Sequence, residues 1–146
     1  MYNDLGVIYV DEEGNIKFGW ENSNVPLIYE DQNLIQKVVL RLFTQIGTNA
    51  YASALGAYFY DLICGNFTKG QQDEISSLVN ASVDSVKTQI IAEQLLDPDI
   101  EDQEKLSDLM IDSIEYDAGN VGWVINILVI SETTKTFWLT FNTANY

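Results

Sequence analysis

Residues 34–63 read LIQKVVLRLFTQIGTNAYASALGAYFYDLI, and the order of apolar runs and glycines in them sets the reading of the whole chain. Leu34, Ile35, Val38, Val39, Leu42, Phe43 and Ile46 recur at intervals of three and four, the spacing of one helix face. Gln36, Lys37, Arg41 and Gln45 fall on the other side. Asp31 is the expected N-cap, and an acid there suits the positive end of the helix dipole. Gly47 is the expected residue just past the helix end, because glycine enters the left-handed region freely. A small, polar connector follows over 48–56, with Tyr51 as its anchor. Gly56 then comes nine residues after Gly47, and Tyr58-Phe59-Tyr60-Asp61-Leu62-Ile63 reads as a short helix over 57–64.

Downstream, Thr68 with Gln71 three residues on forms a capping box. The second long helix carries one stripe: Ile75, Leu78, Val79, Val83, Val86, Ile90 and Ile91. Each such side chain, once buried, contributes roughly 1.5–3 kcal/mol, which makes this a core helix. Asp97-Pro98 is expected to start a brief helix inside a charge-rich insert over 97–105.

Three strands complete the chain: Leu109–Tyr116, Trp123–Ser131 and Thr136–Asn142. Asp117-Ala118-Gly119-Asn120 marks the first turn and Glu132-Thr133-Thr134 the second. The central strand is apolar on both faces, a pattern that calls for cover on both sides. Helices can cover one face; the N-terminal hairpin or a neighbouring subunit is expected on the other. Upstream, Val7–Val10 and Ile16–Trp20 read as the two arms of that hairpin around a turn at Asp11–Asn15. Residues 21–30 read as irregular, and Pro26 biases Val25 to extended geometry. The expected fold class is α+β: two main helices packed on a small antiparallel C-terminal β-meander, with an N-terminal β-hairpin. All 146 residues are expected to form one domain, with 1–29 as hairpin and extension and 30–146 as the core.

Composition narrows the function. The chain is 47% apolar, enough for a core, and carries net charge −15 with seven Lys and Arg. Seven scattered cations make no basic stripe for phosphates or anionic lipid, so neither nucleic acid nor a membrane is an expected partner. No apolar run approaches the roughly 18 residues of a membrane helix, and Met1-Tyr2-Asn3-Asp4 lacks the basic-then-apolar order of a signal peptide. There is no histidine and one cysteine, Cys64. Triads with a histidine base and Cys/His zinc sites are therefore excluded, and Cys64 reads as a small packing residue. Paired carboxylates are the one enzyme chemistry left, with Asp61 and Asp112 as candidates; with 22 acids such a pair carries almost no specificity. Asp97, Asp99, Glu101 and Asp102 resemble a calcium loop in charge, but no glycine occurs from 71 to 118, so a solvated linker is expected. No cofactor, metal or catalytic residue is expected.

The order of helix, glycine, second glycine, short apolar helix, long helix and β-meander resembles the baseplate wedge or sheath-initiator family of contractile phage tails, over about residues 30–142. Gly47, Leu55-Gly56, Phe59, Leu62 and the 70–95 helix sit at matching positions. The chain departs from the family pattern at Asn49, at Ser53-Ala54 and at Leu96-Asp97-Pro98-Asp99, where the family has Arg, Pro-Glu and Glu-Pro-Arg. Some members are labelled lysozyme-like; no residue here supports that label. The resemblance implies a structural virion protein, made in the host cytoplasm and present in several copies around a six-fold baseplate. Its implied partners are the tail sheath, other wedge proteins and the tail tube or hub. Its implied mechanism is a sheet edge that accepts sheath strands, with Thr136, Phe137, Trp138, Leu139, Thr140 and Phe141 as the interaction segment and Gly47 and Gly56 as structural glycines. Trp138 alternates away from Phe137, Leu139 and Phe141, which suits either cross-strand packing or an interface anchor. A small acidic adaptor or inhibitor that binds a basic protein is the alternative from another class.

Overall fold

The computed structural model describes the backbone of residues 4–5, 8–10, 16–18 and 27–28, and every position from 30 to 143 except 66; side chains are described from residue 30 on, apart from Ile63 and Cys64. The hairpin turn at 11–15, the stretch around Pro26 and the packing of Cys64 lie outside the described residues.

The fold is α+β. Helices α1 (Asp31–Phe43), α2 (Phe59–Cys64) and α3 (Gln72–Leu96) precede an antiparallel meander of β5 (Leu106–Asp117), β6 (Gly122–Ser131) and β7 (Thr136–Asn142). Upstream, β2 (Ile8–Val10) and β3 (Ile16–Phe18) pair as the expected hairpin, with Ile8 opposite Phe18. β1 (Asp4–Leu5) and β4 (Leu27–Ile28) form a further two-stranded ladder that the sequence did not suggest. β2 runs beside α1, on the helical side of the protein.

The two stripes meet as their periodicity requires. Leu34, Ile35, Val38, Val39 and Leu42 of α1 and Ile75, Val79, Val83, Val86 and Ile90 of α3 are buried against Ile125, Ile127, Val129, Leu139 and Phe141 of the sheet. Phe43, Phe59 and Phe141 close the core between α1, α2 and β7, with ring centroids 5.4–6.0 Å apart. Gln36, expected on the polar side of α1, is buried at 4% exposure; α1 has β2 as a second neighbour, so more of its circumference is covered.

Several boundaries differ from the sequence reading, each for a tertiary reason. Asp31 is the first helical residue rather than the cap: Glu30 precedes it at φ 50, and no side chain caps the helix. The Asp31 carboxylate is drawn instead to Lys135, 2.6 Å away in the β6–β7 turn. α1 ends at Phe43, short of Gly47. The Thr44 hydroxyl donates back to Leu40 O at 2.7 Å, and Gln45 leaves the helix to form a parallel bridge with Ala57. Gly47 does adopt a positive φ of 90°, but inside the connector. Tyr51 is no anchor, being fully exposed. Asn49 Oδ1 accepts the N–H groups of Tyr51 and Ala52, an Asx turn that lifts Tyr51 to the tip of the connector.

The capping box at Thr68 and Gln71 is present; it opens a 3-10 turn, Lys69–Gln71, that runs into α3. Asp97 starts no helix. It ends α3 and its Oδ1 accepts the Asp99 N–H at 3.1 Å; the brief 3-10 turn comes later, at Asp102–Glu104. The insert is not wholly solvated either, since Glu104 is 7% exposed and accepts a 2.7 Å hydrogen bond from Asn33 Nδ2.

Candidate assembly interface

The meander has two edges, and they differ. β5 is the longer, but its register with β6 slips twice, between Leu106 and Asp108 and between Ile111 and Ser113. It exposes Asp112 and Glu115, and α3 packs beside it. Bulges and charges of this kind discourage a further strand. β7 keeps an unbroken register with β6, from Ile130 opposite Thr136 to Val124 opposite Asn142. Its seven residues, TFWLTFN, include no charge, no proline and no glycine. Among the described residues no strand pairs with its outer side.

The six residues expected to form the interaction segment divide by parity. Thr136, Trp138 and Thr140 are exposed on the sheet face turned from the helices. Leu139 and Phe141 are 2% and 3% exposed and belong to the core, with Phe137 packed against it. Leu139 and Phe141 thus point inward, as their alternation against Trp138 predicts, and only their main chain reaches the edge. Trp138 is 61% exposed and stands across from Leu128.

The turn that leads into β7 is held at both ends. Ser131 N–H donates to Lys135 O at 2.9 Å, Glu132 N–H to Lys105 O at 3.0 Å, and Lys135 Nζ reaches Asp31. Asp31 raises the Lys135 pKa, chiefly through that hydrogen bond. The β7 edge is thus tied to the start of α1.

The two structural glycines are unequal. Gly56 has φ 113, and a Cβ there would lie 2.1 Å from Thr44 O. That contact arises because Ala57 N–H donates to Thr44 O at 2.8 Å, pulling the connector flat against the end of α1. At Gly47 a Cβ would meet nothing within 4 Å. Sequence reasoning missed what holds Gly56: a polar row on α3. Ser82 Oγ accepts the Tyr58 N–H, Ser85 Oγ donates to Gly56 O, and the Gln89 carboxamide bonds Gly56 on both sides. Ser82, buried, and Ser85, half-buried, sit beside the apolar stripe, and small polar residues at that place were the available signal. Gln94 repeats the device, pairing its carboxamide with the N–H and C=O of Leu106 at the start of β5.

The carboxylates weighed as catalysts are not brought together. Asp61 is exposed on α2, and Asp112 is exposed at the second bulge of β5. Neither sits in an apolar pocket. Among the described residues no cluster of three or more Cys, Asp or Glu could hold a metal ion, and no helix is long and apolar enough to cross a membrane.

Compared with protein-family models, with curated proteins and with solved structures, the chain matches none.

Proposed function

We propose that the chain is a structural component of a contractile-tail baseplate that joins the wedge and starts sheath assembly by accepting a sheath strand on the edge of β7. The observation that carries this reading is the contrast between the two sheet edges: β5 is bulged, acidic and helix-flanked, whereas β7 is regular, uncharged and, among the described residues, unpaired on its outer side. An open edge presents a row of main-chain donors and acceptors that templates another strand. Main-chain pairing would supply affinity, and the alternation of Phe137, Leu139 and Phe141 against Trp138 and Thr140 would supply register. Several copies around a six-fold tail, with wedge, tube or hub neighbours, belong to the same reading, as does a place in the virion after synthesis in the host cytoplasm. The reading assigns no catalytic step.

A seeding experiment tests it. The purified chain, with its neighbouring wedge proteins, is added to soluble sheath protein from the same source, and sheath growth is followed by light scattering and electron microscopy. Shortened lag and sheath that starts at the added complex are expected. A Thr136→Lys/Thr140→Lys variant places two cations on exposed positions of the edge and is expected to restore the unseeded lag with an unchanged circular dichroism spectrum. Seeding that survives in this folded variant, or no seeding by the native chain, overturns the proposal. Strand addition also persists as salt is raised, whereas an acidic adaptor steered to a basic partner loses binding steeply.

A further inference from the structure

Alternation along β7 separates the two faces of the sheet, but it does not by itself fix where a strand added to the edge would stop. A slip of one residue turns every side chain to the wrong face, whereas a slip of two leaves each on its own face. Such registers differ only in the chemistry of each cross-strand row.

The main chain of β7 alternates as well. Ser131 N–H donates to Lys135 O, which turns the Lys135 carbonyl to β6, and Trp123 N–H reaches from β6 to Thr143 in the same sense. Hydrogen-bonded positions of an antiparallel pair come every second residue. Phe137, Leu139 and Phe141 therefore direct their N–H and C=O groups to β6, and Thr136, Trp138 and Thr140 direct theirs away from it. The residues whose N–H and C=O groups face outward are the ones whose side chains are exposed.

Two of their rows differ in kind. Met110, Leu128 and Trp138 stand opposite one another across β5, β6 and β7, an apolar row. The neighbouring row of Ser113, Asn126 and Thr140 is polar and hydrogen-bonded from strand to strand. Asn126 Nδ2 donates to Ser113 Oγ at 2.8 Å, and Thr140 Oγ1 donates to Asn126 Oδ1 at 2.7 Å. A hydroxyl has one hydrogen, so Thr140 offers only lone pairs to a neighbour on its other side. On the inner face Phe137, Leu139 and Phe141 belong to or pack on the core, and Phe137 is half-buried.

We infer that the strand accepted at β7 is selected by these rows. It carries apolar side chains at alternate positions beside Phe137, Leu139 and Phe141, and an aromatic or branched aliphatic side chain beside Trp138. Beside Thr140 it carries a hydrogen-bond donor, a Ser or Thr hydroxyl or an Asn carboxamide. The inference rests on the reading that β7 accepts a strand, and it adds the side-chain pattern and register of that strand. A slip of two residues one way puts the donor beside Trp138, and the other way puts the apolar side chain beside Thr140. Either slip loses both matched pairs, and cross-strand pairs are the unit of sheet stabilisation.

The probes are two heptapeptides, Lys-Val-Thr-Val-Phe-Val-Lys for an antiparallel strand and Lys-Val-Phe-Val-Thr-Val-Lys for a parallel one. Each is titrated into the full, ¹⁵N-labelled chain. The better-fitting order is expected to move the amides of Thr136, Trp138 and Thr140 and the Trp138 indole. Replacing Thr of that peptide by Val is expected to weaken binding to the native chain by about threefold or more, and to leave binding to a Thr140→Val chain unweakened. Replacing its Phe by Thr is expected to weaken binding to the native chain similarly, and not to a Trp138→Thr chain. Both protein variants alter exposed side chains, and the lysines shared by all peptides keep attraction to the net charge of −15 constant. Peptides that move those amides but show the same preferences in native and variant chains overturn the inference and leave strand acceptance standing. If neither peptide moves those amides, strand acceptance at β7 fails and the inference fails with it.

Discussion

The carboxamide of Gln89 lies against the peptide of Gly56 as an adjacent strand would: Oε1 accepts the Gly56 N–H at 3.0 Å and Nε2 donates to the Gly56 carbonyl at 2.9 Å. One α3 side chain thereby satisfies the main chain at the point where the connector passes closest to α1. Gln89→Ala should lower stability by about 1–3 kcal/mol, the cost of leaving part-buried main-chain groups without partners. Urea unfolding measures this, and a change below about 0.5 kcal/mol would mean water replaces the carboxamide without loss.

The two glycines should respond very differently to the same change. Gly56→Ala drives a Cβ into the Thr44 carbonyl at a positive φ, so the connector must move off α1 and the protein should lose more than about 3 kcal/mol or fail to fold. Gly47→Ala meets open space and bears only the left-handed penalty, about 1–2 kcal/mol. Thermal unfolding of the pair checks the ranking; equal losses would contradict the close approach at Gly56.

Val121, in the β5–β6 turn, is 74% exposed and sits at φ 53, where a β-branched side chain is strained. Nothing in its burial offsets that strain. Val121→Asn or Val121→Gly should therefore raise stability, by up to about 1 kcal/mol once the greater freedom of the unfolded glycine chain is counted. A lower melting temperature in both variants would show that the Val121 side chain makes a contact worth more than its backbone strain.

Along β7, neighbouring positions should part company. Leu139→Ala opens a cavity beneath the sheet and should cost about 2–5 kcal/mol. Trp138→Thr, one residue away on the open face, should stay within about 1 kcal/mol. Denaturant midpoints of the two variants test the assigned parity of the strand.

Lys87 and Asp108 tie α3 to β5 at 2.6 Å, and the Lys87 hydrogen bond is the main cause that holds the Asp108 carboxyl below the usual carboxylate range. Because the folded pKa is depressed, this contribution is complete above the unfolded value of about 4 and fades as pH falls through the folded value. In Lys87→Met the Asp108 carboxyl should titrate at a higher pH, nearer the ordinary range, in a carboxyl NMR titration, and acid unfolding should lose part of its pH dependence. An unmoved Asp108 titration would show that the ion pair does not persist in solution.

Periodicity by itself determined the helices α1, α2 and α3, the three-stranded meander and the inward parity of Leu139 and Phe141, because burial repeats every 3.6 residues on a helix and every second residue on a strand. Gly47 was legible as a glycine that takes a positive φ, although it does so inside the connector and not at the end of α1. Only the tertiary structure decided where the elements end and which groups meet. α1 stops at Phe43 because Gln45 finds a partner in Ala57, twelve residues away, and Asp31 turns from capping its own helix to Lys135 across the fold. Glu104 leaves the solvated insert for Asn33. The contrast between a bulged β5 and a regular β7, and the alignment of Met110, Leu128 and Trp138 on one sheet face, likewise depend on register. Register is a relation between distant residues, and a local pattern specifies which way a side chain points without specifying what it will face.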